Sequence, residues 1–181
     1  MPVFHIVGAF LVMSMGLQLL LQPLHLDDGN TNALFRQLTS NIWGILSVVV
    51  VGTLAEELTY RAGILRLTRK HIGNIGAIII SALLFGLVHG NLFQAIPAFF
   101  LGIIMGYLYL RTEDLRLCWS AHLANNALAL LTLRYPPLEN FGTNWPLAQQ
   151  IGIGSLLLLL GGLAVFMKGS LLKKVFCRTK S

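Results

Sequence analysis

Charge is what this sequence has least of. Of its 181 residues only 7 are Asp or Glu, and the charged fraction is 11%, less than half of the roughly 25% usual for soluble domains. A soluble fold of this length could not hide the 55% of residues that are hydrophobic, and a mean hydropathy of +0.72 argues the same way. Cysteine is scarce too. Cys118 and Cys177 make no disulfide framework and match no zinc-finger spacing. Cys177 stands fifth from the end, so it forms no prenylation box. There is no nucleophile elbow, no His-Glu-x-x-His and no internal repeat. The net charge of +6 does not read as nucleic-acid binding, because the basic residues flank apolar runs, where membrane proteins keep their cytoplasmic anchors.

Long apolar runs are what the chain does have. A membrane span needs about 20 such residues, and six candidates appear: Val3–Leu21, Ser40–Arg61 with helix continuing toward Arg69, Asn74–His89, Leu92–Leu110, Leu115–Leu133 and Leu147–Met167. Pro23 with Asp27 to Asn30, and Pro136-Pro137 with Asn140 to Asn144, mark loops. The first run is too long for a signal-peptide core and lacks a basic leader, so it reads as a retained span. The fold class is therefore all-α, a polytopic membrane bundle of about six helices forming one domain over 1–181. With six spans, one side collects Arg61, Arg66, Arg69, Lys70, Arg111, Arg116 and the tail cations Lys168, Lys173, Lys174, Arg178 and Lys180. The other holds Arg36 and Arg134. That asymmetry predicts cytoplasmic N- and C-termini in a cell membrane, with 168–181 as a basic cytoplasmic tail.

Within the second span stands Glu56-Glu57-Leu58-Thr59-Tyr60-Arg61. Each charge buried at mid-membrane costs about 2.5–3.5 kcal/mol on insertion scales, and such residues mark functional sites by default. Glu57 and Arg61 are i, i+4 and share a helix face. Glu56 is turned away from them, with the Tyr60 hydroxyl in hydrogen-bond reach. This leaves Glu57 and Arg61 as a supporting pair and Glu56 for chemistry; the alternative is one buried structural network of all three. A hairpin turning near Ile72-Gly73 brings Glu56, sixteen residues before Ile72, to the depth of His89, seventeen after it. His122 and Asn126 repeat the i, i+4 spacing on the fifth span, where interhelical hydrogen bonding is the plainer reading. His122 lies only nine residues past Glu113, a depth mismatch of about 10 Å at 1.5 Å per residue.

A carboxylate in an apolar pocket can take a proton from water, and imidazole and carboxamide groups can hold that water or an oxyanion. The same Glu56, His89 and His122 would also make a His₂Glu zinc site. No cofactor is preferred, with a divalent metal such as zinc as the alternative.

Glu56-Glu57…Arg61, Phe85…His89 and His122…Asn126, with the texture of Leu84 to His89 and Gly102 to Thr112, together resemble the CAAX protease and bacteriocin-processing enzymes (CPBP or Abi, the CAAX prenyl protease 2 type) over about 41–131. The resemblance implies an all-helical intramembrane endopeptidase. In it Glu56 and His89 activate water, His122 and Asn126 form the oxyanion site, and Glu57 and Arg61 support them. Its partners would be the lipid bilayer and a peptide or membrane-anchored protein substrate. Prenylated CAAX substrates would suit a eukaryotic or archaeal source, bacteriocin-type peptides a bacterial one. A non-proteolytic immunity or scaffold protein of the same fold is the alternative. A proton-coupled transporter is disfavoured by the lack of inverted repeats.

Overall fold

A computed structural model describes the backbone from Pro2 to Cys177 and the side chains from Val3 to Phe166. Among the described residues every regular element is helical. Helix α1 is Pro2–Leu21, followed by a 3₁₀ turn, Gln22–Leu24, and by α2, Thr31–Leu38. Helix α3 covers 42–65 and changes pitch along its length. It opens as α-helix at Ile42–Ile45, widens to π over Leu46–Gly52, returns to α for Thr53–Glu57, and widens again over Leu58–Leu65. It passes without a gap into α4, Arg66–Leu87. Then come α5, Leu92–Thr112; α6, Leu115–Arg134; the short α7, Pro136–Glu139; and α8, Leu147–Cys177. Side chains of the basic tail expected at 168–181 lie outside the described residues.

Among the described residues four stretches are long and apolar enough to cross a membrane: Val3–Leu24, Ile42–Leu87, Leu92–Thr112 and Leu147–Phe166. The second spans 46 residues but is folded at Gly73, where φ is 73° and ψ 176°. Only glycine adopts that backbone cheaply. The predicted hairpin is therefore present. Its register is fixed by a hydrogen bond from Ser81 Oγ to the Tyr60 carbonyl (2.8 Å) and by edge contact of the Tyr60 and Phe85 rings. Helix α6 has the predicted bounds almost to the residue but is not among the four apolar stretches. Arg116, Ser120, His122, Asn125 and Asn126 interrupt its hydropathy.

Lipid tails offer helices no hydrophobic drive to associate, so close backbone approach between small residues carries much of the packing. α1 and α8 meet this way. A Cβ on Gly16 would stand 2.7 Å from the Gly154 carbonyl oxygen, and one on Gly161 would stand 2.6 Å from that of Ala9. α4 and α5 do the same, since a Cβ on Gly86 would fall 2.8 Å from the Ala95 oxygen.

The two ends of the bundle are tied by different bonds. At one end Arg36 Nη2 reaches both carboxylate oxygens of Glu139 at 3.1 Å, and Arg134 donates to the Thr39 carbonyl at 2.5 Å. Asn91 Nδ2 donates to Thr31 Oγ1 at the same end. At the other end Arg69 meets Glu113 at 3.5 Å.

Two expectations change. The loop after Pro23 contains the amphipathic helix α2, which its charged and polar residues hid from a search for apolar runs. Helix α4 stops at Leu87 rather than reaching His89, because Gly90 takes a left-handed φ of 72° and the His89 amide turns back to the Gly86 carbonyl.

Candidate functional site

The short α segment Thr53–Glu57 of α3 carries both acids, and α6 supplies their partner. Glu57 is sealed, with none of its side chain exposed, and Arg61 is 1% exposed. Glu57 Oε1 accepts from Arg61 Nη1 at 3.0 Å and from His122 Nδ1 at 2.8 Å. An ionised carboxylate can only accept, so Nδ1 of His122 carries the hydrogen and its other nitrogen is turned outward. That other nitrogen, Nε2, stands 3.4 Å from Oε2 of Glu56, whose side chain is 36% exposed. One imidazole thus spans two adjacent carboxylates, one buried and one open.

Arg61 spends its remaining charge on Phe85. Its guanidinium carbon lies 4.5 Å from the ring centroid, a cation–π geometry. The same ring meets His122 and His89 edge-on, with centroids at 5.6 and 5.4 Å and interplanar angles of 89° and 88°. Phe85 is therefore a wedge between the two imidazoles. His89 bonds through Nδ1 to the Phe85 carbonyl at 2.9 Å. The carbonyl only accepts, so the ring caps the last turn of α4 and leaves Nε2 as a free acceptor.

The depth mismatch anticipated for His122 is resolved by where the helices end. Arg69 meets Glu113, so the α5–α6 loop lies level with Arg69, and the turn at Gly73 projects beyond it. Glu56 is thirteen residues from Arg69 and His122 nine from Glu113, which reduces the difference to about 6 Å. The π segment Leu58–Leu65, which fits more residues into each turn, shortens the path from Glu56 to Arg69 further.

Asn126 is one helical turn from His122, half-buried, and has no hydrogen bond among the described residues. Asn125 instead accepts from Ser14 Oγ of α1 at 2.5 Å. Tyr60 differs from expectation. It makes no hydrogen bond to Glu56 among the described residues; its ring packs instead on Phe85 from the far arm of the hairpin. The zinc alternative also lacks geometry. Among the described residues no three His, Cys, Asp or Glu side chains are grouped to hold a metal ion. These residues do not fit a metal site, and the chemistry assigned to them runs through none.

Comparison with known proteins supplies the family. The family model described as "Type II CAAX prenyl endopeptidase Rce1-like" matches residues 38–128, the stretch that carries Glu56, Arg61, Phe85, His89, His122 and Asn126. The chain belongs to this family. It is also similar to the Bacillus subtilis (strain 168) protein named "Putative membrane peptidase YdiL", 26% identical over 132 residues, which are 73% of this chain and 54% of that protein. The chain thus spans about half the length of that relative. No solved structure matches.

One contributor to the site left no sign in the family's motifs. Trp119 donates from Nε1 to Thr53 Oγ1 (3.2 Å) and to the Val50 carbonyl (3.3 Å), tying α6 to α3. Phe85 was legible as a neighbour of His89, but its contacts with Arg61 and His122 follow from tertiary packing alone.

Proposed function

We propose that this protein is an intramembrane endopeptidase that hydrolyses a peptide bond of a peptide or membrane-anchored protein with water activated by Glu56. The observation that carries the reading is the pairing of a partly exposed Glu56 with Nε2 of His122, while Glu57 and Arg61 hold that imidazole from beneath. Glu56 takes a proton from water, and the hydroxide so formed attacks the scissile carbonyl. Glu56 passes the proton to Nε2 of His122. His122 then donates from both nitrogens, with the charge balanced by Glu57, and is a suitable donor to the oxyanion and afterwards to the leaving amine. Asn126, whose carboxamide is uncommitted, is the second oxyanion donor. His89, with Nε2 free, orients the water.

The same reading puts both termini in the cytoplasm of a cell membrane. Its support is that Arg36 and Arg134 gather at one end of the bundle, while Arg66, Arg69, Lys70, Arg111 and Arg116 belong to the other.

The test is cleavage of a panel of lipidated and unlipidated peptides by protein in liposomes, followed by mass spectrometry. Glu56→Ala should lower cleavage by about a hundredfold or more, and a chelator should leave it unchanged. If Glu56→Ala folds and retains the wild-type cellular phenotype, the protein acts without proteolysis, as an immunity or scaffold protein. Loss of cleavage on chelation would overturn the metal-free mechanism.

A further inference from the structure

The acid-bearing turn Thr53–Glu57 lies between two π segments, Leu46–Gly52 and Leu58–Leu65. A π segment closes its hydrogen bonds at i→i+5 and is intrinsically rare, occurring mostly as single-turn bulges and often at functional sites. Each of these two has a carbonyl that accepts from a donor on another helix. Trp119 Nε1 on α6 donates to the Val50 carbonyl in the first, and also to Thr53 Oγ1, itself bonded to the Val49 and Val50 carbonyls. Ser81 Oγ on the far arm of the hairpin donates to the Tyr60 carbonyl in the second.

The angular consequence is large. A π turn accommodates an additional residue, so relaxation of either segment to α shifts the downstream helix by one residue, about 100° around the axis. Such a shift in the first segment swings Glu56 off Nε2 of His122 and pulls Glu57 from Nδ1. In the second it turns the Thr53–Glu57 segment by the same amount against the hairpin arm anchored on α4, which again takes Glu56 off His122. Neither donor touches Glu56, Glu57 or His122 among the described contacts.

We infer that Trp119 and Ser81 are positioning residues that clamp the two π segments and so set the rotation at which Glu56 and Glu57 meet His122. The kinetic arm of the test rests on the peptidase reading; the geometric arm does not.

The geometric arm uses a pair of reporter cysteines, Glu56→Cys with His122→Cys, in full-length protein whose Cys118 and Cys177 are serine, and a short thiol-to-thiol cross-linker. A second pair, Arg36→Cys with Glu139→Cys, reports folding at a distance from α3. Trp119→Phe, which keeps an aromatic ring but removes the N–H, and Ser81→Ala are each added to both pairs. The 56–122 product should be lost in each variant while the 36–139 product persists. In the chain with native cysteines and acids, Trp119→Phe should lower kcat by about a hundredfold with KM little changed.

Undiminished 56–122 cross-linking in both variants would overturn the proposal whatever the activity. So would failure of the reference pair to cross-link, or loss of the 36–139 product in both variants, which would assign the two residues to folding. If one variant alone loses the 36–139 product, the other decides. Loss of the 56–122 product in a protein that cleaves nothing would sustain the clamp and sink the peptidase reading.

Discussion

Nε2 of His122 lies 3.4 Å from Oε2 of Glu56, although the two residues sit on helices separated by the whole of α4 and α5. The pairing depends on Glu57 directly beneath, because its bond to Nδ1 fixes which nitrogen faces Glu56. Two neighbouring acids therefore divide the work by burial, and substitution should separate them.

Glu57→Ala should act on stability before it acts on anything else. It leaves Arg61 charged and sealed with only the Phe85 face for company, at a cost of about 3–5 kcal/mol. Glu57→Ala combined with Arg61→Met should recover much of that loss. Unfolding in detergent, followed by denaturant titration, measures both; a double variant as unstable as the single one would refute the pairing argument.

Phe85→Ala should cost about 3–5 kcal/mol as well, by leaving a cavity where four side chains converge. Phe85→Leu should cost less, since much of the volume remains. Both should weaken activity together with stability, which unfolding and cleavage measured on one preparation would reveal.

Asn125 and Asn126 should part company despite being neighbours. Asn125→Ala removes the bond from Ser14, worth about 0.5–1.5 kcal/mol, and should leave turnover near wild type. Asn126→Ala breaks no internal bond, so its stability should be unchanged, while turnover should fall by about 10²–10³ if it holds the oxyanion. Equal turnover in Asn126→Ala and wild type would remove it from the chemistry.

Gly16→Ala or Gly161→Ala should loosen α1 from α8. At Gly16 the added methyl meets opposing backbone, and at Gly161 it meets the Met13 side chain as well as the Ala9 carbonyl; overpacking of this kind costs about 1–3 kcal/mol. Gly8→Ala, at a position with open space around it, is the control and should be neutral. Comparable unfolding midpoints for all three would show that the contact bears no strain.

Much of this architecture could be read from residues alone, and the reasons are local. Gly73, just past the basic stretch from Arg66 to His71, announced a turn, and the hairpin register followed by counting. The Glu57–Arg61 pair followed from helical periodicity, and the ends of α5 and α6 from where apolar runs stop. What could not be read depends on partners distant in sequence. Nothing between Leu46 and Leu65 signals a π pitch, since the donors that sustain it come from Ser81 and Trp119. Tyr60 turns from Glu56 to the Phe85 ring, which arrives from the far arm of the hairpin. His89 was expected on a helix, but the left-handed Gly90 ends α4 two residues earlier and hands its ring to a backbone carbonyl. The bridging role of His122 needed three dimensions, because its depth along α6 argued against it.

The fold at Gly73 also dictates an order of assembly. Synthesis delivers α3 and α4 as one self-pairing unit, complete with Arg61, Phe85 and both acids, well before α6 leaves the ribosome. The acids enter the bilayer already neutralised in part by their own arginine, which eases insertion of an otherwise costly segment. The His122 imidazole arrives later, so the nascent chain carries Glu56, the acid proposed to activate water, before its partner is in place.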